Sequence, residues 1–330
     1  MMEIQENIPL GPKTTLRIGG DARFYAEIET KEDIEEAYKF GDTNNIPVVI
    51  LGSGSNTIFA DGTINALVIK IIASDVKING NKVEVESGKN LAQLVNELSE
   101  LDLDLSPLTG IPGTVGGAVF GNAGQGCGGI WINEYVDSVC VFDGKEETKK
   151  AKDECCFGYR TSVFKNMCHA EESAKADVSK HEEKQTNILR DAPALRSGAP
   201  QDDTIDTSKS IIIWSVKLNI PTKPKEEIKS DIENLLQKRI ASQPHKRTAG
   251  SCFLSVDKET PAWKLIEAAG LRGKQIGGIK ISEKHSNFLE NTEGATFEDA
   301  KNLIAEIKSK IDQPLPVEMR LIDNDGEIIN

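Results

Sequence analysis

The chain of 330 residues carries 52 acidic against 39 basic side chains, a net charge of −13, with 38% of its residues hydrophobic. That length gives room for two or three domains with ample core, and the acidic balance excludes a nucleic-acid surface or a polybasic membrane patch while leaving room for a local basic pocket. The opening MMEIQENIPL lacks the basic and apolar regions of a secretory signal and no stretch reaches the length of a membrane span, so a cytoplasmic protein apart from membranes is expected.

In chain order, Thr14 to Glu27 places a glycine turn at Gly19 and Gly20 before a strand-like alternation through Phe24, Tyr25 and Ala26. Ile34, Ala37 and Tyr38 fall at helical spacing in Lys31 to Phe40, with Gly41, Asn44 and Asn45 as the closing signal. Val48 to Leu51 reads as a short buried strand running into Gly52-Ser53-Gly54-Ser55-Asn56. A strand feeding small residues suits a phosphate cradle, yet the lysine of a P-loop is missing and an ordinary tight turn fits as well. A strand over Leu67 to Ile72 precedes a hairpin turning at Asn79-Gly80-Asn81, and Asn90 caps a helix with Leu91, Leu94, Val95 and Leu98 on one face.

The stretch Leu108 to Gly129 is where the sequence is most unusual, with nine glycines from Gly110 onward. Glycine at that density is costly in chain entropy, so it signals positive φ or backbone lying directly against something. Interleaved Ile111, Val115, Ala118, Val119 and Phe120 argue against a solvated linker and for main-chain N–H groups gathered around an anion. Gly124, Gly126 and Gly129 satisfy G-x-G-x-x-G, but without the preceding strand and following amphipathic helix that a dinucleotide turn requires.

Tyr135 to Phe142 and Glu147 to Lys150 read as a second hairpin, and Cys155 to Lys165 is an aromatic, basic cluster. Arg160, held between Tyr159 and Phe164, is either a surface cation or a partly shielded one able to act on an oxyanion. Residues 167–209 contain no aromatic residue and read as a mobile insert, with a short helix conceivable within Ala170 to Lys184. A strand from Ile211 to Ile220 is followed by an amphipathic helix, Lys225 to Gln243, through Ile228, Ile232, Leu235, Leu236 and Ile240. The remainder reads β, α, β, α, β: Ser251 to Val256, Pro261 to Ala269, Asn287 to Asn291, Thr296 to Ile311 and Val317 to Ile322. The six cysteines and four histidines show no ligand spacing, so free thiols and no metal site are expected.

Seven segments in a fixed order, TTLRIGGDARFYAE, VVILGSGSNTIFAD, LTGIPGTVGGAVFGNAG, ECCFGYRTSVFK, QPHKRTAGSCF, AWKLIEAAGLRGKQIGGIKISEKHSNFLEN and LPVEMRLI, together resemble the UDP-N-acetylenolpyruvoylglucosamine reductase family. The resemblance spans nearly the whole chain apart from the insert. It implies an α+β protein: a two-lobed vanillyl-alcohol-oxidase-type FAD-binding fold, residues 1–72 and 73–221, followed by a smaller α+β substrate-binding domain, residues 222–330. It implies FAD held by Gly52, Ser53, Gly54, Ser55, Asn56, Ile111, Pro112, Gly113, Thr114, Val115, Gly116 and Gly117, with Asn122, Ala123 and Gly124 close by, the cofactor occupying the space a Cβ would take.

The implied reaction reduces the enolpyruvyl ether of UDP-N-acetylenolpyruvoylglucosamine, with NADPH as hydride donor, and needs a hydride carrier, a cation for the enolate and a positioned acid. The resemblance puts enolate stabilisation on Arg160, proton donation on Ser251 and, on Glu318, polarisation of the substrate carboxylate or tuning of the proton relay, in a monomer. Tyr159, Lys246, Arg247 and Lys284, with Lys274 as a further cation, are candidates for the substrate's diphosphate and carboxylate. The chain departs from the family pattern after Ser251, reading Phe253-Leu254-Ser255-Val256 where Phe-Lys-Asn-Pro is usual, which removes a lysine and an amide from that loop. Two other readings are compatible with the fold: a flavin oxidase acting on an alcohol or sugar, and a non-catalytic nucleotide-sugar-binding protein. Retention of Arg160, Ser251 and Glu318 together speaks against the second.

Overall fold

The computed structural model describes residues 2–124, 129–167, 211–244, 247–256 and 259–329. The expected insert and its short helix lie outside these residues, except for Met167.

The first sheet has the order β1 (Gln5–Pro9), β2 (Asp21–Ile28), β5 (Thr63–Ile71), β3 (Val48–Leu51). Strand β5 runs parallel to both neighbours and is buried over most of its length, which is why ALVIKI shows no polar alternation. The connection from β2 to β3 is helix α1 (Lys31–Asn44), started by a capping box in which Thr30 accepts from the Asp33 N–H and Asp33 accepts from the Thr30 N–H. The helix continues past the expected stop at Gly41. That glycine is buried, and a Cβ there would lie 2.9 Å from Val48, so it serves helix-to-strand packing; the chain leaves the helix only at Asn45, with φ at 52°.

The second sheet is antiparallel throughout, β6 (Val76–Asn79), β7 (Lys82–Glu86), β10 (Ile212–Asn219), β8 (Val136–Phe142), β9 (Glu147–Ala151). Both expected hairpins are present, and the first turns through Gly80 at φ 60°. Helix α2 (Leu91–Ser99) begins at Asn90, whose side chain accepts from the Gln93 N–H at 3.0 Å, and buries the four apolar residues read from its spacing. Helix α3 (Val115–Phe120) lies inside the glycine stretch, where the sequence pattern suggested no helix. Its six residues are too few to show a period, and its start is set by Thr114, which accepts from the Gly117 N–H at 3.2 Å.

A short helix α4 (Val163–Met167) precedes β10, and α5 (Lys225–Ser242) follows it. Helix α5 departs from the expected amphipathic packing. Only Ile228 is buried and Ile232 packs against the core, while Leu236 and Ile240 are each 41% exposed, because the helix runs off the second lobe. Beyond it, β11 (Thr248–Ser251), β14 (Phe288–Asn291), β13 (Ile279–Ile281) and β12 (Gln275–Ile276) form an antiparallel sheet with helices α6 (Ala262–Ala268) and α7 (Phe297–Ser309). The first of these strands ends where the sequence reading began it. Gly250 at φ 75° breaks the register between Thr248 and Ser251, after which Phe253 bridges to Val317. The hairpin β12–β13 went unread because its strands are two and three residues long.

The last strand, β15 (Arg320–Ile322), joins a different partner: it pairs in parallel with β4 (Thr57–Phe59) of the first lobe. The same union appears in the core. Leu16, Tyr25, Phe59 and Ile64 from the first lobe share one buried cluster with Phe253, Ile266, Leu303 and Met319. At roughly 1.5–3 kcal/mol for each fully buried large apolar side chain, this shared cluster is a major part of what holds the C-terminal elements in place.

Candidate active site

The two glycine-rich loops meet face to face. Ser55 Oγ donates to the Pro112 carbonyl at 3.3 Å, and a Cβ on Gly52 would stand 3.0 Å from the Thr114 hydroxyl oxygen. Beside them runs a cleft of about 250 Å³, walled by Gly52, Thr114, Gly116 and Gly117 and by Ile50, Ile213 and Arg320. Among the described residues, the main-chain N–H groups of Ser53, Gly54, Ser55, Gly113 and Thr114 have no acceptor. Main-chain donors left open on two facing loops are costly unless an anion takes them, and they fit the pyrophosphate of a dinucleotide.

The glycines themselves have a different reason from the one expected. A Cβ on Gly54 would lie 2.5 Å from the Lys13 carbonyl, one on Gly116 2.6 Å from Ser87 Cβ, and one on Gly124 2.5 Å from the Trp131 ring. These three let protein pack against protein. Only Gly117 keeps room toward the cleft, its nearest neighbour being the Thr114 hydroxyl at 3.5 Å. Ile111 and Val115 are core residues, and the N–H groups of Ile111, Val115 and Gly116 are bonded to Leu108, Lys89 and Ser87, so this part of the loop is held from behind. Asn56 likewise works inward: its amide donates to the Glu318 carbonyl at 3.1 Å and its carbonyl accepts from the Arg320 N–H at 2.9 Å.

Asn122, Ala123 and Gly124 carry the second half of the site. Asn122 is buried; its amide donates to the Gly158 carbonyl at 2.8 Å and its side-chain oxygen accepts from the Asn133 N–H at 3.3 Å. Ala123 accepts from the Ile132 N–H, and Gly124 bridges to Trp131. This segment therefore positions Trp131 and the turn Gly158 to Thr161, which is closed by two main-chain bonds and tied to the end of α3 by Ser162 Oγ donating to Phe120 at 2.7 Å.

Arg160 sits in that turn at φ 53°, a left-handed conformation uncommon for a residue with a side chain. Its aromatic partner is Trp131 rather than Phe164: the guanidinium carbon stands 4.9 Å from the Trp131 ring, Tyr159 meets the same ring edge-on at 5.7 Å, and Phe164 is buried in the second-lobe core. Arg160 Nε bonds Glu318 Oε1 at 3.1 Å, leaving its terminal nitrogens without an acceptor among the described residues. Burial pushes the Glu318 carboxyl above the ordinary carboxylate range, with Arg160 and then Lys165 pulling it back. The Glu318 N–H donates to the Cys252 carbonyl at 2.8 Å, so Ser251 adjoins the segment that carries Glu318 into β15. Asn287 holds this register, accepting from the Phe253 N–H at 3.0 Å and donating to its carbonyl at 2.8 Å. The departing residues after Phe253 stay in contact with the site, since the Ser255 N–H donates to Tyr159 Oη at 3.4 Å.

Arg239 is a functional candidate that sequence reasoning missed. On α5 it reads as one more cation of a charged helix, yet Nη1 donates to the Gly110 carbonyl at 3.1 Å and Nε is buried without a partner among the described residues. Burial, and then the charge of Arg160, depress its pKa, so two guanidinium groups face the same region. Arg247 and Lys284 line a separate cavity with Glu290 and Glu293, near the end of α5, where Lys284 donates to the Ile240 carbonyl. Lys274 instead pairs with Glu306 of α7 at 3.0 Å on the surface, and Lys246 lies outside the described residues.

Facing glycine loops with open N–H donors, set beside a cleft between two lobes, define a flavin-nucleotide-binding protein, and the family model for an FAD binding domain matches residues 22–152. A second model, the C-terminal domain of UDP-N-acetylenolpyruvoylglucosamine reductase, matches residues 243–321. The chain is 30% identical to the reductase of that name from Thermotoga maritima over 309 residues, 93% of each chain. It is 32% identical to that from Carboxydothermus hydrogenoformans, over 96% of this chain and 92% of the other. The crystal structure of the Thermus caldophilus enzyme superposes with a TM-score of 0.73 at 27% identity, covering 97% of this chain and 98% of that one. The chain belongs to the UDP-N-acetylenolpyruvoylglucosamine reductase family. Its described residues contain no helix long and apolar enough to cross a membrane.

Proposed function

We propose that this chain is an FAD-dependent oxidoreductase that reduces UDP-N-acetylenolpyruvoylglucosamine to UDP-N-acetylmuramate in peptidoglycan precursor synthesis, with NADPH as the electron source. The observation that carries the reading is the Arg160–Glu318 pair, 3.1 Å apart beside the Ser251 strand, with guanidinium nitrogens left open. FAD, when bound, would supply the hydride for the terminal carbon of the enolpyruvyl group; Ser53 to Ser55 and Gly113 to Thr114 would hold its pyrophosphate, and Gly117 would give it room.

As hydride arrives, charge grows on the substrate carboxylate as an enolate. The free end of Arg160, stacked on Trp131 and shielded from water, neutralises that charge, and Arg239 adds a second cation. Ser251 delivers its proton to the carbon bearing the carboxylate. A serine hydroxyl is a weak acid, but an enolate carbon is a strong base and fixed geometry makes the transfer feasible. Glu318 orients Arg160. Tyr159, Arg247, Lys284 and Lys246 complete the substrate contacts, and the divisions 1–72, 73–221 and 222–330 serve as two cofactor lobes and a substrate unit. The enzyme works as a monomer in the cytoplasm.

An anaerobic visible spectrum of the purified protein tests this. NADPH bleaches the flavin bands, and UDP-N-acetylenolpyruvoylglucosamine restores them. A protein that takes up no FAD ends the reading. Bleaching without recovery transfers it to the oxidase alternative.

A further inference from the structure

Lys165 is a charged group beside this site to which the reaction as described gives no task. It lies on α4, directly after the catalytic turn, and its side chain is only partly exposed. Nζ reaches back to donate to the Arg160 carbonyl at 3.4 Å. Burial lowers its pKa, and among the groups around it the Glu318 carboxylate favours its charged form while Arg320 and Arg160 oppose it. A lysine ammonium kept half-desolvated against two arginines costs stability unless a carboxylate compensates. Glu318 does so through space, without an ion pair to Lys165 among the described residues; the direct contact of Lys165 here is with the Arg160 carbonyl.

We propose, building on the function above, that Lys165 is a positioning residue for the Arg160–Glu318 pair: it pins the left-handed Arg160 backbone through its carbonyl and stands as a second cation on Glu318. Two consequences follow from the geometry. The Arg160 turn is bonded from inside by its own main chain and by Asn122, but the carbonyl of Arg160 itself projects toward α4, and Lys165 is what holds it. With Lys165 sharing the charge of Glu318, Arg160 commits only Nε to that carboxylate and keeps its terminal nitrogens for a substrate anion. Without Lys165 the full charge of Glu318 falls on Arg160, and the guanidinium turns toward it.

The charged and titratable groups around Glu318 are Arg160 on the turn, Lys165 on α4 and Cys252 after β11, while Arg320, two residues further along the chain, acts on Lys165. The Glu318 carboxyl is already raised by burial, so losing Lys165 raises it further, and ionised Glu318 then accumulates only at higher pH.

The test uses FAD-loaded protein and the variants Lys165→Met and Lys165→Arg. Lys165→Met is expected to retain flavin and melting temperature, lower kcat by about 10- to 100-fold with little change in KM, and move the acid limb of the kcat profile upward by about one pH unit. Lys165→Arg, which keeps both the donor and the charge, is expected to restore most of the rate and the parental limb. An unmoved limb in Lys165→Met, or Lys165→Arg as impaired as Lys165→Met, overturns the proposal. The Glu318 carboxyl titration, followed by NMR in glutamate-labelled protein, moves to higher pH in Lys165→Met whether or not the parent turns over, which separates failure of this inference from failure of the proposed function. If Lys165→Met does not fold, Lys165→Gln, a neutral donor to the same carbonyl, reads the same shift.

Discussion

The two walls of the site are made differently. The wall proposed for the cofactor is built from main chain: its loops are fixed by backbone bonds to Lys89, Ser87 and Leu108, and Gly54, Gly116 and Gly124 make room for Lys13, Ser87 and Trp131. The substrate wall is built from charge, with Arg160, Glu318, Lys165 and Arg239 held partly out of water. A main-chain wall tolerates side-chain change except where a Cβ strikes backbone or core. A charged wall loses its function when one group is removed, because the remaining charges are left uncompensated.

The largest effect expected from this contrast is at Arg160. Arg160→Gln should lower kcat/KM by about 10³-fold, in the range seen when one donor to a developing oxyanion is removed, with flavin content unchanged. Steady-state kinetics beside the flavin spectrum checks it, and loss of bound flavin would mean that the walls are not independent. An intermediate effect separates two adjacent glycines. Gly116→Ala forces a methyl to 2.6 Å from Ser87 Cβ and should cost about 1–3 kcal/mol of stability, read as a lowered Tm of the apoprotein. Gly117→Ala meets nothing nearer than 3.5 Å, so its Tm should hold while FAD affinity, measured by fluorescence titration, weakens. The smallest effect is at Lys274. Its pair with Glu306 lies on the surface and is screened by solvent, so Lys274→Ala should leave kcat, KM and flavin binding as they were.

Legibility in the sequence followed the same division. Strands and helices with a clear period, such as Val48–Leu51 and the stripe of α2, were readable because burial of one face imposes the pattern locally. The glycine stretch was readable as special but not as a helix, since six residues of small side chain carry no period. The resemblance implies that its glycines make room for the cofactor, yet Gly116 and Gly124 answer to Ser87 and Trp131, neighbours that no spacing could announce. Arg160, Ser251 and Glu318 came from motif resemblance, and chain order alone would not have joined a turn at 160 to a strand end at 251 and the approach to β15 at 318. Arg239 and Trp131 were missed for the converse reason. One looks like any lysine or arginine of a charged helix, and the other stands outside the aromatic cluster that seemed to surround Arg160.

Strand β4 has a longer reach than its three residues suggest. Its described partner is β15, and the Asn56 that leads into it is bonded to Glu318, 262 positions further on. During synthesis the first lobe therefore waits with an unpaired strand edge until nearly all of the chain has left the ribosome, although Thr15 already ties down Gly54 of the loop before it. A nascent or truncated chain exposes that edge to other chains, so the vulnerability to aggregation lies in the period of synthesis.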